Sequence, residues 1–151
     1  MYIQSVTTEP LLDEVRMIFR EYRNSLNIDL SFQEFEQELR SLPGKYAAPQ
    51  GRLYLAFIDN HPAACIALRP FSDTECEMKR LYVRPGYRGQ GLARALGKRI
   101  ISDARTIGYS AMLLDTLSDM TAARTLYESL GFHYIDSYCF NPVPNACYMR
   151  L

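Results

Sequence analysis

The composition of this 151-residue chain is that of an ordinary globular protein, with 48% hydrophobic and 23% charged residues. Seventeen Lys and Arg residues balance 17 Asp and Glu residues, so no net charge attracts nucleic acid or an anionic membrane. The length favours a single domain over residues 1–151. Met1–Ser5 lack the blocks of a signal peptide, and no apolar run approaches the ~18 residues that cross a bilayer. We therefore expect a cytoplasmic protein that binds neither nucleic acid nor membranes.

The cysteines predict no metal centre and no disulfide framework. No pair has Cys-x-x-Cys spacing, and no histidine cluster lies near them in the sequence. Free cysteines are usually buried. We expect four reduced, mostly buried thiols, at Cys65, Cys76, Cys139 and Cys147.

The first half of the chain predicts two helices and a β-hairpin. Apolar residues recur at helical spacing after Glu9-Pro10, and Ser31 with Glu34 forms a capping box for a second helix. Asp59-Asn60-His61-Pro62 is a turn sequence between two β-rich runs. The predicted elements are a strand at Tyr2–Thr8, helices starting at Glu9 and after Ser31, and hairpin strands at Leu53–Asp59 and Ala63–Arg69.

The second half predicts strands that alternate with helices. An amphipathic period of 3.6 residues runs from Gly89 to Gly108, and a shorter helical stretch ends before Gly131. Such alternation after a hairpin predicts an α/β fold, with helices covering the faces of a mixed sheet. The predicted elements are a strand at Glu75–Val83, a helix at Gly89–Gly108, a strand at Ala111–Leu114, a helix at Thr121–Leu130, and strands at Phe132–Tyr138 and Ala146–Leu151.

The segment from Leu81 to Ala93 carries the strongest functional signal, because a predicted strand leads through a glycine-rich turn into a helix start. The N-H groups at a helix N-terminus have no partners within the helix, and the helix dipole places about half a positive charge there. Glycines let this backbone approach a pyrophosphate closely. The segment therefore predicts a phosphate-binding turn.

Two common phosphate motifs do not fit this turn. A dinucleotide fingerprint that starts at Gly89 and Gly91 would need Gly or Ala where the chain has Arg94. A P-loop that ends at Gly97-Lys98 would need Gly in place of Leu92 and Ser or Thr in place of Arg99. The residue spacing therefore excludes both a dinucleotide-binding fingerprint and a P-loop.

Arg88-Gly89-Gln90-Gly91-Leu92-Ala93 matches Arg/Gln-x-x-Gly-x-Gly/Ala, and in this the chain resembles the GNAT acetyltransferases. Leu126-Tyr127-Glu128-Ser129-Leu130-Gly131-Phe132 is similar to the Leu-Tyr-x-x-x-Gly-Phe segment of the same family. The two motifs occur in the family's order. The resemblance implies a GNAT fold, with a mixed, mostly antiparallel sheet of six to seven strands and about four helices.

The resemblance also implies acetyl-CoA as cosubstrate, no metal, and a primary amine as acceptor. The backbone of the glycine turn would hold the pyrophosphate, while the end of the preceding strand would pair with the pantetheine arm and stabilise the oxyanion through an N-H group near Tyr82. The implied cofactor-binding residues are Leu81, Tyr82, Val83, Arg88, Gly89, Gln90, Gly91, Leu92, Ala93 and Arg94.

Tyr127 and Glu77 are the candidate catalytic residues. The place of Tyr127 resembles that of the family's general acid, although its spacing from Ala123 and Leu130 also fits a core residue. Glu77 shares the face of Leu81 under strand alternation and resembles a strand glutamate that serves as base in some members. Glu75, with the same parity, and a water relay are alternatives, and both glutamates could be solvated strand residues.

One position departs from the family pattern, and the acceptor is left open. Met120 stands where many relatives carry a cofactor-binding asparagine, so Ser118, Asp119 or Thr121 would replace that contact, or it is absent. A small molecule, a peptide N-terminus and a protein lysine all fit as acceptors. The expected acceptor-reading residues are Arg16, Arg20, Tyr22, Arg23 and the loop from Tyr138 to Asn145.

Two other kinds of function compete with this interpretation. A GNAT-like module could bind acyl-CoA as a sensor without turnover. A hydrolase is disfavoured because no Gly-x-Ser-x-Gly occurs and neither His61 nor His133 has an evident nucleophile. The final strand could also pair or exchange between subunits and form a homodimer.

Overall fold

The computed structural model describes residues 1–26, 32–139, 141 and 143–151, apart from the side chains of residues 32 and 33. The predicted N-cap Ser31 lies outside the described residues. Single-turn 3₁₀ helices lie at Gly44–Tyr46 and Pro85–Tyr87. The strands are β1 (Tyr2–Ser5), β2 (Arg52–Ile58), β3 (His61–Pro70), β4 (Glu75–Val83), β5 (Ala111–Leu117), β6 (His133–Ile135) and β7 (Ala146–Arg150), and the helices are α1 (Glu9–Ser25), α2 (Phe32–Ser41), α3 (Leu92–Ile107) and α4 (Thr121–Ser129).

The strands form one seven-stranded sheet in the order β1-β2-β3-β4-β5-β7-β6. Every neighbouring pair is antiparallel except β4 and β5, which are parallel. The predicted fold class, a mixed and mostly antiparallel sheet with helices, is confirmed. The final strand β7 pairs with both β5 and β6, so it is not an edge of this sheet.

The two faces of the sheet carry separate hydrophobic cores. On one face, α3 buries Leu96 and Ile100 in the same core as Leu114 of β5. On the other, Ile18 and Phe19 of α1 pack with Leu39 of α2. In each helix these apolar residues recur every three or four positions, which is why one side of the helix faces the sheet. The face with α1 and α2 is called the helix α1–α2 face below.

Several element bounds differ from the predicted ones for local reasons. The glycines that precede Leu92 are left-handed, so α3 starts later than predicted. Pairing with β7 continues through Leu117, which extends β5 beyond its apolar run. Strands β1 and β6 are shorter than predicted, because their sheet pairing stops at Ser5 and Ile135. The predicted hairpin is confirmed: Asp59 and Asn60 have φ values of 49° and 65°, as a tight turn between β2 and β3 requires.

Candidate active site

The sheet opens between β4 and β5. These parallel strands pair at Glu75↔Ala111, Cys76↔Met112 and Glu77↔Leu113, and their ladder stops there although both strands continue. The last part of β4 therefore presents one side of its backbone to a cleft. The N-terminal residues of α3 and α4, which follow β4 and β5, line this cleft.

A β-bulge in β4 sets the direction of the side chains at the cleft. The pairing with β3 jumps from Ala67↔Lys79 to Cys65↔Tyr82, so β4 holds one extra residue there. Arg80 lies at this bulge with a φ of 61°. The thiol of Cys65 donates to the Arg80 carbonyl over 3.2 Å, and burial raises the pKa of this thiol to about 12. The bulge is thus supported from the neighbouring strand by a neutral donor.

The extra residue overturns one prediction about Glu77. Beyond the bulge, Leu81 packs with the α3-side core that also contains Met78, whereas Tyr82 joins the core of the helix α1–α2 face. The expectation that Glu77 shares the face of Leu81 is therefore wrong. Strict alternation assumes a regular strand, and an inserted residue shifts all later side chains to the opposite face.

The backbone of Val83 is directed towards the cleft. Arg84 donates its N-H group to the Ala63 carbonyl over 2.9 Å, and Ala64 lies opposite Val83. In an antiparallel pair, hydrogen-bonded and non-hydrogen-bonded positions alternate, so the polar groups of Val83 point away from β3. A strand-like ligand could pair with them. In this structure the Val83 carbonyl accepts a hydrogen bond of 3.0 Å from Nε of Arg88.

The glycine turn and the N-terminus of α3 form the far wall of the cleft. Gly89 and Gly91 have φ values of 79° and 81°, which glycine adopts at little cost. Gly91 is the N-cap of α3, so the turn aims the unpaired N-H groups of the first helical turn into the opening. The cleft has a volume of about 650 Å³, and every predicted cofactor-binding residue except Gln90 lines it: Leu81, Tyr82, Val83, Arg88, Gly89, Gly91, Leu92, Ala93 and Arg94.

Tyr127 lies where this cleft meets a second, smaller cavity of about 120 Å³, and it lines both. Its ring packs edge-on against Phe132, with centroids 5.9 Å apart, and the residue is 8% exposed. Within the described part of the chain its hydroxyl forms no hydrogen bond. Burial raises the pKa of Tyr127 well above the ordinary value, with smaller contributions from Tyr22 and Asp115, so the phenol keeps its proton.

The smaller cavity lies at the junction of β4, β5 and α1, and it is called the inner cavity below. Its lining includes Asp115, Tyr22 and Lys79. The Lys79 ammonium lies 3.3 Å from one Asp115 oxygen, and Asn141 donates to the other over 3.1 Å. A carboxylate, a phenol and a primary ammonium group therefore meet next to Tyr127.

Glu77 lies on the helix α1–α2 face, 2% exposed, and it is not among the described residues that line the cleft or the inner cavity. Arg69 donates from Nε to one of its oxygens over 2.9 Å, and Nη2 of the same arginine lies 2.9 Å from that oxygen in an ion pair. The other oxygen accepts from the Tyr138 hydroxyl over 2.5 Å and lies 3.9 Å from the Lys79 ammonium. Glu75, the alternative, pairs with Arg150 at the opposite end of β4. The structure brings neither glutamate to Tyr127.

Other predicted residues divide between the cavities and the surface. Met120 and two of its proposed substitutes, Asp119 and Thr121, line the cleft. Of the expected acceptor-reading residues, Tyr22, Asn141 and Val143 line the inner cavity. The Arg16 side chain is bonded to Glu9, Asp13 and the Leu39 carbonyl.

Sequence reasoning missed Asp115 and Arg80. Asp115 directly follows four buried apolar residues, Ala111–Leu114, in the same strand, and this signal could have identified it. Among the described residues, no three His, Cys, Asp or Glu side chains lie together as metal ligands, and no helix is long and apolar enough to cross a membrane. Four free cysteines are present, and Cys65 and Cys76 are the buried ones.

Comparison with known proteins identifies the family. The model of the acetyltransferase (GNAT) family matches residues 12–132. A protein of Schizosaccharomyces pombe named as an uncharacterized N-acetyltransferase is 43% identical over 99% of this chain and 93% of its own length. The N-acetylaspartate synthetase of Rattus norvegicus is 32% identical over 76% of this chain and 40% of its own length.

Solved structures agree at the level of the fold. A GNAT-family acetyltransferase of Staphylococcus aureus has a TM-score of 0.81 at 17% identity, over 99% of this chain and 98% of its own. The ribosomal-protein-S18-alanine N-acetyltransferase of Escherichia coli has a TM-score of 0.74 at 22% identity, over 99% and 92%. A GNAT-family acetyltransferase of Elizabethkingia anophelis with bound acetyl-CoA has a TM-score of 0.68 at 23% identity, over 99% and 96%.

The chain therefore belongs to the GNAT family of acetyltransferases. It is an acyltransferase of the N-acetyltransferase class. Relatives with the same fold have been solved with coenzyme A or acetyl-CoA bound.

Replacement of Gly91 by alanine should lower both stability and cofactor affinity. An ideal Cβ at Gly91 meets no atom within 4 Å, so the expected loss of about 1–2 kcal/mol comes from the left-handed backbone alone. Thermal unfolding should shift down by a few degrees, and calorimetric titration should show weaker binding of coenzyme A. Gly86→Ala is the matched control, because Gly86 also has open space around it but its φ is not positive. Equal effects in the two variants would contradict this account of the turn.

Proposed function

We propose that this protein transfers the acetyl group of acetyl-CoA to a primary amine by direct attack in a ternary complex. The observation that carries the proposal is the position of Tyr127, whose side chain lines both the cleft at the glycine turn and the inner cavity. A cofactor in the cleft would bring its thioester to the point where the two spaces meet. An acceptor in the inner cavity would reach the same point from the other side.

The cleft would hold acetyl-CoA in two parts. The N-H groups of the glycine turn and of the first turn of α3 would bind the diphosphate, and the helix dipole favours its negative charge. The pantetheine arm would pair as a short strand with the backbone of Leu81 and Val83. In this structure the Arg88 guanidinium bonds the Val83 carbonyl, which the pantetheine arm would need. On cofactor binding, Arg88 would release this carbonyl and turn to the phosphates. Asp119 or Thr121 would replace the contact of the usual asparagine.

The reaction would run by addition and elimination at the thioester carbonyl. The neutral amine attacks the carbonyl carbon, the carbonyl oxygen becomes an oxyanion held by a β4 backbone N-H group, and the C-S bond then breaks. The leaving thiolate takes the proton of the Tyr127 hydroxyl, and the proton that the acetylated nitrogen loses restores the phenol. Burial raises the pKa of Tyr127, so the phenol holds its proton until the thiolate forms next to it.

An amine near neutral pH is mostly protonated, so a base must remove one proton before attack. Glu77, predicted from the sequence, is held by Arg69 and Tyr138 away from the inner cavity. Asp115 lines that cavity beside Tyr127 and is the carboxylate we assign to this role, directly or through one water molecule. Glu77 would then support the site through Lys79, which contacts both carboxylates.

The acceptor is proposed to be a primary amine on a small molecule or on a peptide or protein. Asp115 supplies a negative charge for an ammonium group, and Lys79 and Arg80 also line the inner cavity. The relatives' names cover both kinds of acceptor, since one is an N-acetylaspartate synthetase and another structure is a ribosomal-protein alanine acetyltransferase. Charges of both signs in the cavity fit an acceptor that carries an amine and a nearby polar or charged group.

The proposal is tested by thiol release from acetyl-CoA with purified protein and a panel of amines. The panel should include aspartate, other amino acids, polyamines and short peptides that begin with alanine. We expect release that depends on one class of amine and yields one mole of acetylated product per mole of coenzyme A. Tight binding of acetyl-CoA without amine-dependent release across the panel would instead support the non-catalytic sensor.

A further inference from the structure

The bulge in β4 is held by an ion pair that joins it to α2. Arg80 donates from Nε and Nη2 to the two oxygens of Glu38, each over 3.1 Å. The Tyr46 hydroxyl donates to the same carboxylate over 3.1 Å, and this tyrosine is 3% exposed. The side chains of Arg80 and Glu38 are 17% and 19% exposed, so solvent screens the pair only weakly.

The left-handed backbone conformation of Arg80 is energetically unfavourable unless another interaction compensates for it. A residue with a Cβ at a φ of 61° loses roughly 1–2 kcal/mol relative to the ordinary regions, and asparagine, aspartate or glycine is the usual occupant. A large cation at this place requires a compensating interaction, and strained residues of this kind concentrate at functional sites. The two-point bond to Glu38 supplies that interaction at the position where β4 turns its backbone towards the cleft.

Resting on the proposed function, we propose that Arg80 is a positioning residue for acetyl transfer: its bond to Glu38 fixes the bulge, and the bulge sets Leu81–Val83 to receive the pantetheine arm. The pair links α2, on the helix α1–α2 face, to the strand edge on the cofactor side. The nucleotide half of coenzyme A would bind the glycine turn beyond the reach of this pair. The pair should therefore affect binding of the arm and not of the nucleotide.

This difference gives a test that needs no known acceptor. The probes are coenzyme A and its nucleotide half, 3′-phosphoadenosine 5′-diphosphate, titrated calorimetrically into the wild type, Arg80→Ala and Glu38→Gln. We expect the Kd of coenzyme A to rise about tenfold in both variants while the Kd of the nucleotide half stays within about twofold. Arg80→Gly should lose less than Arg80→Ala, because glycine tolerates the positive φ.

Glu21→Gln is the matched control. Arg84, just beyond the end of β4, donates from Nε and Nη2 to the two carboxylate oxygens of Glu21 on α1, over 3.0 and 2.8 Å. The geometry is thus the same as in the pair of Arg80 and Glu38. Arg84 has an ordinary φ of −59°, so loss of its partner releases no strained backbone. This variant should bind both probes as the wild type does.

Each outcome decides one question. Equal weakening of both probes in Arg80→Ala would show general destabilisation and overturn the positioning role, as would unchanged coenzyme A binding in Arg80→Ala and Glu38→Gln. A wild-type protein that binds neither probe would instead contradict the proposed function itself. Once an acceptor is known, Glu38→Gln should also raise the KM for acetyl-CoA more than it lowers kcat.

Discussion

Tyr127→Phe is expected to lower kcat on the order of 100-fold, while the Kd for acetyl-CoA stays within about twofold. The substitution removes the proton that the leaving thiolate would receive and retains the ring that packs against Phe132. Within the described residues the hydroxyl makes no hydrogen bond, so its loss should barely change thermal stability. Steady-state kinetics, calorimetric titration and a thermal melt measure the three quantities.

Tyr134→Phe provides the control for this experiment. Tyr134 is 45% exposed, and its hydroxyl bonds Arg124 and Glu128 on the surface of the same region. Its substitution should leave kcat unchanged. If Tyr127→Phe turns over as fast as the wild type at saturating acetyl-CoA, Tyr127 is a core residue and another group protonates the thiolate.

Asp115→Asn is expected to lower kcat by about two orders of magnitude and to flatten the fall of kcat/KM at acidic pH. A carboxylate base must be deprotonated to act, so the wild-type rate should decrease at acidic pH, where the base becomes protonated. An amide has no such titration. The pH-rate profiles of the two proteins, measured with one acceptor, test this assignment.

Glu77→Gln discriminates between the two carboxylates. The substitution removes the charge that Arg69 and Lys79 neutralise, in a residue 2% exposed, so we expect a lower melting temperature. The shape of the pH-rate profile should stay that of the wild type. If Glu77→Gln loses the acidic limb and Asp115→Asn keeps it, the base is the strand glutamate that the sequence predicted.

The glycine turn shows what the sequence could predict well. The strand, the glycine turn and the helix follow one another within a short stretch of sequence. Gly89 and Gly91 adopt left-handed conformations, which glycine reaches at little cost. The cleft lining follows from this local order, which is why nearly all predicted cofactor residues lie on it. Tyr127 was predicted from the family resemblance, and one short helix carries it from the end of β5 back to the cleft.

The error over Glu77 has a different origin. The alternation of side chains between the two faces of β4 is broken by the bulge at Arg80. The sequence gives no sign of this bulge, because arginine is an unusual residue at a left-handed position. Its stabilisation comes from Glu38, which lies 42 residues earlier in the chain. No local pattern reports such a pair. Asp115 was missed for a related reason, since its place beside Tyr127 depends on where β4 and β5 separate.

The central claim is that the cleft beside the glycine turn binds acetyl-CoA. The most direct measurement is a calorimetric titration of the purified protein with acetyl-CoA, with the bound site located in a soaked crystal. We predict saturable binding at one site per chain, with the diphosphate against the N-H groups of residues 89–94 and the arm along Leu81–Val83. A titration without heat, together with density for the cofactor elsewhere or nowhere on the protein, would contradict it.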